Sequence, residues 1–121
     1  MIKRLKMPRE QILTAMRDGD FSDDVLSQSE YVVIIMTQDW CPQWKYMENL
    51  IYDIDSEEDV TVFELIYNKS DYFAEFMRFK EVVFKNHQIP YIRYYRNGAL
   101  VNESNAVNCD AFLQNCLKLT C

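Results

Sequence analysis

An uninterrupted apolar run in the first third of the chain constrains the fold more than any other feature. Residues 31–36 read YVVIIM, which is rich in β-branched side chains and shows no alternation of apolar and polar positions. A strand with one face in water would alternate, so this pattern predicts a central strand covered on both faces. A strand of this kind belongs to a sheet with helices packed on each side.

The patterns around this run predict the remaining elements. Asn97-Gly98 separates two strand-like runs and predicts a tight hairpin, because both residue types accept positive φ. The helix that follows the central strand is expected to bury four side chains, which are Trp44, Met47, Leu50 and Ile51. Taken together, the patterns predict helices over 8–19, 42–51, 71–86 and 108–119, and strands over 31–36, 60–67, 91–96 and 99–101.

These elements define an α/β fold. The strand–helix–strand unit over 31–67 is expected to be a right-handed parallel crossover, whereas the closing hairpin is antiparallel. The result is an α/β sandwich on a mixed sheet with a terminal helix. The chain has 121 residues and no Pro-, Gly- or Ser-rich linker, so we expect a single domain.

Composition narrows the function classes. The formal net charge is −6, which argues against nucleic acid as the main partner. No signal peptide follows the basic start, and the apolar run at 31–36 is too short to span a membrane, so we expect a cytoplasmic protein with no membrane partner. Nothing in the chain predicts an oligomeric state.

No metal site is expected. The chain has one His, and its densest acidic stretch, 53–59, lacks the turn glycine that a calcium loop needs. That stretch is interpreted as a solvated loop.

The segment that carries chemistry is Trp40-Cys41-Pro42-Gln43-Trp44, placed where the central strand passes into a helix. Pro42 suits the first helical position, which leaves Cys41 at or next to the N-cap. The unpaired N–H groups and the positive end of the helix dipole favour a thiolate there. A thiolate is the nucleophilic form of cysteine, so Cys41 is the candidate catalytic residue.

At this point the chain resembles the thioredoxin superfamily over about residues 20–120. Trp40-Cys41 after the apolar strand is similar to the entry to that family's active site, Ile89-Pro90 is similar to its cis-proline, and 94–101 resembles its terminal hairpin. The resemblance implies a thioredoxin-like α/β/α sandwich. It also implies that 2–6 form the first edge strand, so that 1–19 are a strand and helix elaboration of the domain formed by 20–121.

The chain departs from the family pattern at positions that bear on function. The second cysteine of the family's Cys-x-x-Cys motif is replaced by Trp44, so no disulfide can form within the motif. Ile35 stands where dithiol thioredoxins carry a buried acid, and Tyr91 follows Pro90 where threonine is common. Arg93 replaces an apolar residue of the next strand, and a buried guanidinium needs a partner.

The resemblance therefore implies one active-site thiol. Cys41 would attack a disulfide of a protein or small molecule, and an external thiol such as glutathione, with no bound cofactor, would resolve the product. Cys109 is the candidate resolving thiol, while Cys116 and Cys121 lie further along the last predicted helix.

The binding surface and the alternative function use the same residues. Trp40, Pro42, Trp44, Ile89 and Pro90 are the candidate residues for substrate or partner binding, with the two tryptophans interpreted either as packing residues or as an exposed rim. The alternative is a redox-inactive thioredoxin fold that serves as a protein-binding adaptor.

Overall fold

The computed structural model describes residues 1–54, 57–105, 112, 114 and 115. The predicted helix over 108–119, and with it Cys109, Cys116 and Cys121, falls mainly outside these residues. The strands are β1 (Ile2–Lys6), β2 (Tyr31–Thr37), β3 (Val60–Ile66), β4 (Tyr91–Arg96) and β5 (Ala99–Ser104). The helices are α1 (Arg9–Asp18), α2 (Asp23–Leu26), α3 (Pro42–Tyr52) and α4 (Phe73–Val82).

A mixed sheet of five strands organises the chain. The strand order is β1-β3-β2-β4-β5, in which β1, β3 and β2 run parallel and β4 and β5 are antiparallel to their neighbours. β2 lies at the centre and all seven of its residues are buried. The predicted central strand, mixed sheet and hairpin are confirmed, and 2–6 form an edge strand as expected.

Two hydrophobic cores flank the sheet because successive side chains of β2 point to opposite faces. Val32 and Ile34 pack with α1, α2 and α4 on one face. Val33 and Ile35 pack with α3 on the other face, where Cys41 also lies. The α/β/α arrangement that places the candidate thiol therefore follows from burial on both sides of one strand.

Two helix predictions need correction. Leu50 was expected to be buried, but it is exposed, and α3 buries only Trp44, Met47 and Ile51 at spacings of three and four. The helix predicted over 71–86 ends at Val82, because the chain turns there and Lys85 adopts a left-handed φ of 58°. Beyond this turn, the chain brings the carbonyl of Asn86 back toward the helix.

Arg93 finds its partners on one face of the sheet. Its Nε donates to the Tyr95 hydroxyl at 2.7 Å and its Nη1 to the Tyr91 hydroxyl at 2.9 Å. The guanidinium also lies 4.0 Å from the centroid of the Phe84 ring and 3.3 Å from a carboxylate oxygen of Asp20. This network satisfies the buried cation and fastens the loop after α1 to β4.

Lys80 is the second buried cation of this face, with 3% of its surface exposed. Its Nζ donates to the carbonyl of Asn86 at 2.9 Å and lies 5.9 Å from the centroid of the Tyr91 ring. Burial lowers the pKa of Lys80, and the charge of Glu81 opposes that effect. Folding below the lowered pKa therefore requires desolvation of an ammonium group.

Replacing Lys80 with methionine, which keeps most of the side-chain volume, is expected to stabilise the fold by about 1 kcal/mol at pH 7. The advantage should shrink as pH rises toward the ordinary lysine pKa, because the folded wild type releases a proton that the unfolded chain still holds. Urea unfolding of both proteins between pH 7 and pH 10 measures this difference. Lys45→Met, at an exposed position of α3, is the matched control and should change stability little. Destabilisation by Lys80→Met would contradict the expectation.

Candidate functional site

Cys41 lies at the carboxyl end of β2, where a four-residue turn leads into α3. The Cys41 N–H donates to the carbonyl of Gln38 at 3.1 Å, and the Cys41 carbonyl accepts the first helical bond from Lys45 at 3.1 Å. Cys41 is the N-cap of α3, with φ −67° and ψ 112°, and Pro42 follows within the first helical turn. The sequence prediction for this junction is confirmed in its geometry.

The sulfur of Cys41 is enclosed. The residue is 1% exposed and belongs to the core cluster that contains Ile35, Trp44 and Ile92. Its Sγ lies 3.5 Å from Oε1 of Gln43, close enough for the thiol to donate a weak hydrogen bond. A disulfide substrate needs direct access to the sulfur, so exchange at Cys41 requires a local displacement of the surrounding chain.

The two tryptophans of the motif have different environments. Trp44 is 2% exposed and packs in the core of α3, so the prediction that it contributes to an exposed rim is wrong and the packing interpretation is correct. The physical reason is helical spacing, which places Trp44 on the same buried stripe as Met47. Trp40 is 59% exposed, and its Nε1 donates to Oε1 of Gln38 at 2.6 Å.

Ile89 and Pro90 lead into β4. The peptide bond between them is cis. Pro90 is buried, whereas Ile89 is half-buried and contacts both core clusters. The carbonyl of Pro90 accepts a hydrogen bond from Nδ2 of Asn105 at 2.9 Å, so this backbone group is already paired within the chain.

Sequence reasoning missed Gln38 and Tyr67. Gln38 is buried below the turn, and its Nε2 lies 3.5 Å from the Tyr67 hydroxyl and 3.9 Å from Sδ of Met77. Burial raises the pKa of Tyr67, the hydrogen bond from Gln38 lowers it, and the nearby Cys41 contributes a smaller increase. No local motif marks these residues, because β2, β3 and α4 bring them together only in the folded chain.

A second set of contacts holds the turn from the outside. The Asp39 N–H donates to Oδ1 of Asn68 at 2.9 Å, and Nδ2 of Asn68 donates to Oδ1 of Asp39 at 2.7 Å. Lys69 lies 3.0 Å from the other carboxylate oxygen, and its hydrogen bond lowers the pKa of Asp39. The turn before Cys41 is therefore tied to the loop that follows β3.

Two further observations concern the described part of the chain. Within it, no group of three or more His, Cys, Asp or Glu side chains is placed to hold a metal ion. None of its helices combines the length and apolar character that crossing a bilayer requires.

Comparison with solved structures shows which known proteins have a similar architecture. No protein-family model matches the chain, and no curated protein matches it. Spinach chloroplast thioredoxin F matches with a TM-score of 0.61 and 17% identity, covering 93% of this chain and 82% of that one. Chlamydomonas reinhardtii thioredoxin f2 gives a TM-score of 0.61 and 19% identity, with 91% and 93% covered. Thioredoxin O1 from Arabidopsis thaliana gives 0.60 and 15%, with 91% and 89% covered.

The mixed sheet, the two flanking cores and these similarities define a thioredoxin-like α/β fold. The chain therefore has a thioredoxin-like fold. Identities of 15–19% to these three proteins establish the fold alone, so the activity must be argued from the residues around Cys41.

The two tryptophans are expected to lose stability to different extents on the same substitution. Trp44→Ala should destabilise the protein by about 3–5 kcal/mol, because it opens a large cavity in a closed core. Trp40→Ala should cost about 1 kcal/mol, since it removes one hydrogen bond from an exposed ring. Urea unfolding followed by far-UV circular dichroism compares the two. Equal losses of stability would contradict the different environments assigned to these residues.

Proposed function

We propose that this thioredoxin-fold protein carries out thiol–disulfide exchange, or thiol sensing, through the single cysteine Cys41. The observation that carries the proposal is the position of Cys41 at the N-cap of α3, at the carboxyl end of the central strand. Trp44 fills the place of a second motif cysteine with a buried indole, which supports a mechanism with one thiol at this site.

The chemistry requires two transfers between sulfur atoms. The Cys41 thiolate attacks one sulfur of a disulfide, so that a mixed disulfide forms, the original bond breaks and the leaving thiolate takes up a proton. A second thiolate, from glutathione in this proposal, attacks the mixed disulfide and releases Cys41. In this proposal the peptide N–H groups at the start of α3 favour the anionic sulfur in both steps, although in this structure the Cys41 side chain makes no cap hydrogen bond with them.

The surrounding residues have defined parts in this proposal. Trp40 and Pro42, both exposed, flank Cys41 along the chain, and the half-buried Ile89 is the proposed contact of a disulfide-bearing peptide or small molecule, with the buried Pro90 supporting it from below. A cytoplasmic location, where glutathione is mostly reduced, suits a resolving step by an external thiol. No nucleic acid or membrane partner is proposed.

Exchange at Cys41 is tested most directly by glutathionylation. In a variant with Cys109, Cys116 and Cys121 changed to serine, glutathione disulfide is expected to add one glutathionyl group, which reduced glutathione then removes. Intact-mass measurement follows both steps. The same protein with Cys41→Ser is the matched control and should gain nothing.

Absence of the adduct from the folded variant, under conditions that fully modify its urea-unfolded form, would overturn the exchange proposal. That result would favour the redox-inactive adaptor, for which the specific observation is the enclosure of Cys41 beside an exposed Trp40. An adaptor that uses this surface should lose its partner on Trp40→Ala while Cys41→Ser leaves binding intact.

Cys109 is proposed as an internal alternative to glutathione. If it resolves the mixed disulfide, mild oxidation of the wild type should yield a Cys41–Cys109 disulfide and the loss of two hydrogen atoms from the intact mass. Peptide mapping identifies the pair. Cys109→Ser should abolish that product, whereas Cys121→Ser should leave it unchanged, and an unchanged mass in the wild type would exclude this role.

A further inference from the structure

The turn before Cys41 is built around one buried amide side chain. Oε1 of Gln38 accepts the hydrogen bond of the Trp40 indole at 2.6 Å, and Nε2 lies 3.5 Å from the Tyr67 hydroxyl. Gln38 is buried, so both ends of its amide group depend on partners within the protein. The side chain thereby joins the exposed indole above the turn to the core beneath it.

The backbone of the same residue also holds Cys41. The carbonyl of Gln38 accepts the Cys41 N–H at 3.1 Å, which closes residues 38–41 into a turn. A displacement of Gln38 would therefore disturb the Trp40 side chain and the Cys41 backbone together. The pair formed by Asp39 and Asn68 is a separate tie, since it attaches the turn to the loop after β3 rather than to the core.

Cys41 is itself enclosed, but its neighbours in the sequence are exposed to solvent. It is 1% exposed, while Trp40 before it and both Pro42 and Gln43 after it are exposed. The exposed neighbours on both sides of Cys41 make a displacement of this short segment the simplest route by which its sulfur, which packs in the core with Ile35 and Trp44, becomes accessible.

We infer that Gln38 is a positioning residue that latches the Trp40 indole and thereby controls access to the Cys41 thiol. The inference rests on the proposed function, because it describes how that thiol is reached. In the latched state Trp40 and Gln38 hold the turn closed over the sulfur. Breaking their hydrogen bond frees the turn and lets a disulfide approach.

The amide group suits this role because it is both an acceptor and a donor. Leucine at position 38 is close in size but offers neither group, so it leaves the Trp40 N–H without its acceptor. Phenylalanine at position 40 keeps an aromatic ring but removes the N–H, which leaves Oε1 of Gln38 without its donor. Both substitutions break the same hydrogen bond from opposite sides.

The reaction of Cys41 with 4,4′-dithiodipyridine tests the latch. The Cys41 thiolate attacks this reagent, a mixed disulfide forms, and the released thiopyridone is measured by its absorbance. In the variant without the other three cysteines, Gln38→Leu and Trp40→Phe should each raise the rate about tenfold, as expected for loss of one partly buried hydrogen bond. The double variant should be no faster than the faster single variant, because both changes remove one interaction.

The matched control is Gln28→Leu. Gln28 is exposed, and its Nε2 donates to the carbonyl of Asp24 at 3.0 Å near the opposite end of β2, about 20 Å from Gln38. This variant should leave the labelling rate within about twofold of the parent protein. Labelling at several urea concentrations below the unfolding transition separates local opening, which depends weakly on urea, from global unfolding.

Three outcomes would overturn the latch. The first is an unchanged labelling rate in Trp40→Phe, which tests the hydrogen bond even if Gln38→Leu fails to fold. The second is a labelling rate in the double variant that rises by the product of the two single increases. The third is a labelling rate that depends on urea as strongly as global unfolding does.

The latch and the proposed function fail in different ways. Labelling of the parent protein as fast as in the unfolded chain would remove the latch while exchange with glutathione could still occur. If the substitutions accelerate labelling as predicted but glutathione does not exchange at Cys41, the latch is retained and the proposed function fails.

Discussion

Burial of β2 on both faces is the constraint on which the rest of the structure depends. Because all seven residues of this strand are enclosed, the chain must supply a neighbouring strand on each side and a helical layer on each face. The parallel partner β3 and the antiparallel partner β4 meet the first requirement. Helix α3 on one face, and α1, α2 and α4 on the other, meet the second. The candidate site then arises where this strand ends.

Residues at the carboxyl end of β2 lie in different environments although they are close in sequence. Cys41 occupies the N-cap position of a helix whose first peptide N–H groups favour an anion, yet its side chain makes no cap hydrogen bond and packs into the core below α3. The adjoining Trp40 faces solvent, and Gln38 joins its indole to the interior. Chemistry at such a site depends on access as much as on thiol activation, and hydrogen bonds within the turn control that access.

Buried charge on the other face of the sheet has a structural role. Arg93 is surrounded by the Tyr91 and Tyr95 hydroxyls, the Phe84 ring and the carboxylate of Asp20, so the network joins β4 to the segment after α4 and to the loop after α1. Burial raises the pKa of Tyr91 to about 12, so this phenol keeps its proton and its hydrogen-bonding role even at a pH where an exposed tyrosine would ionise. The network supplies the partners that the buried guanidinium needs, which an apolar side chain at position 93 would not require. It also fixes the loop leading to α2.

The sequence by itself predicted most of the elements and the position of the candidate thiol. Runs of β-branched residues, the Asn97-Gly98 turn and the order of patterns predicted the mixed sheet, and Cys41-Pro42 predicted a thiol at a helix start. These are local signals, since strand propensity, turn geometry and helix capping depend on neighbours in the chain. Helical spacing already favoured burial of Trp44, but tertiary structure alone decided that the thiol is enclosed, that Trp40 is exposed, and that Gln38 contacts Tyr67. Those properties depend on side chains from separate elements meeting in space, which periodicity within one segment cannot specify.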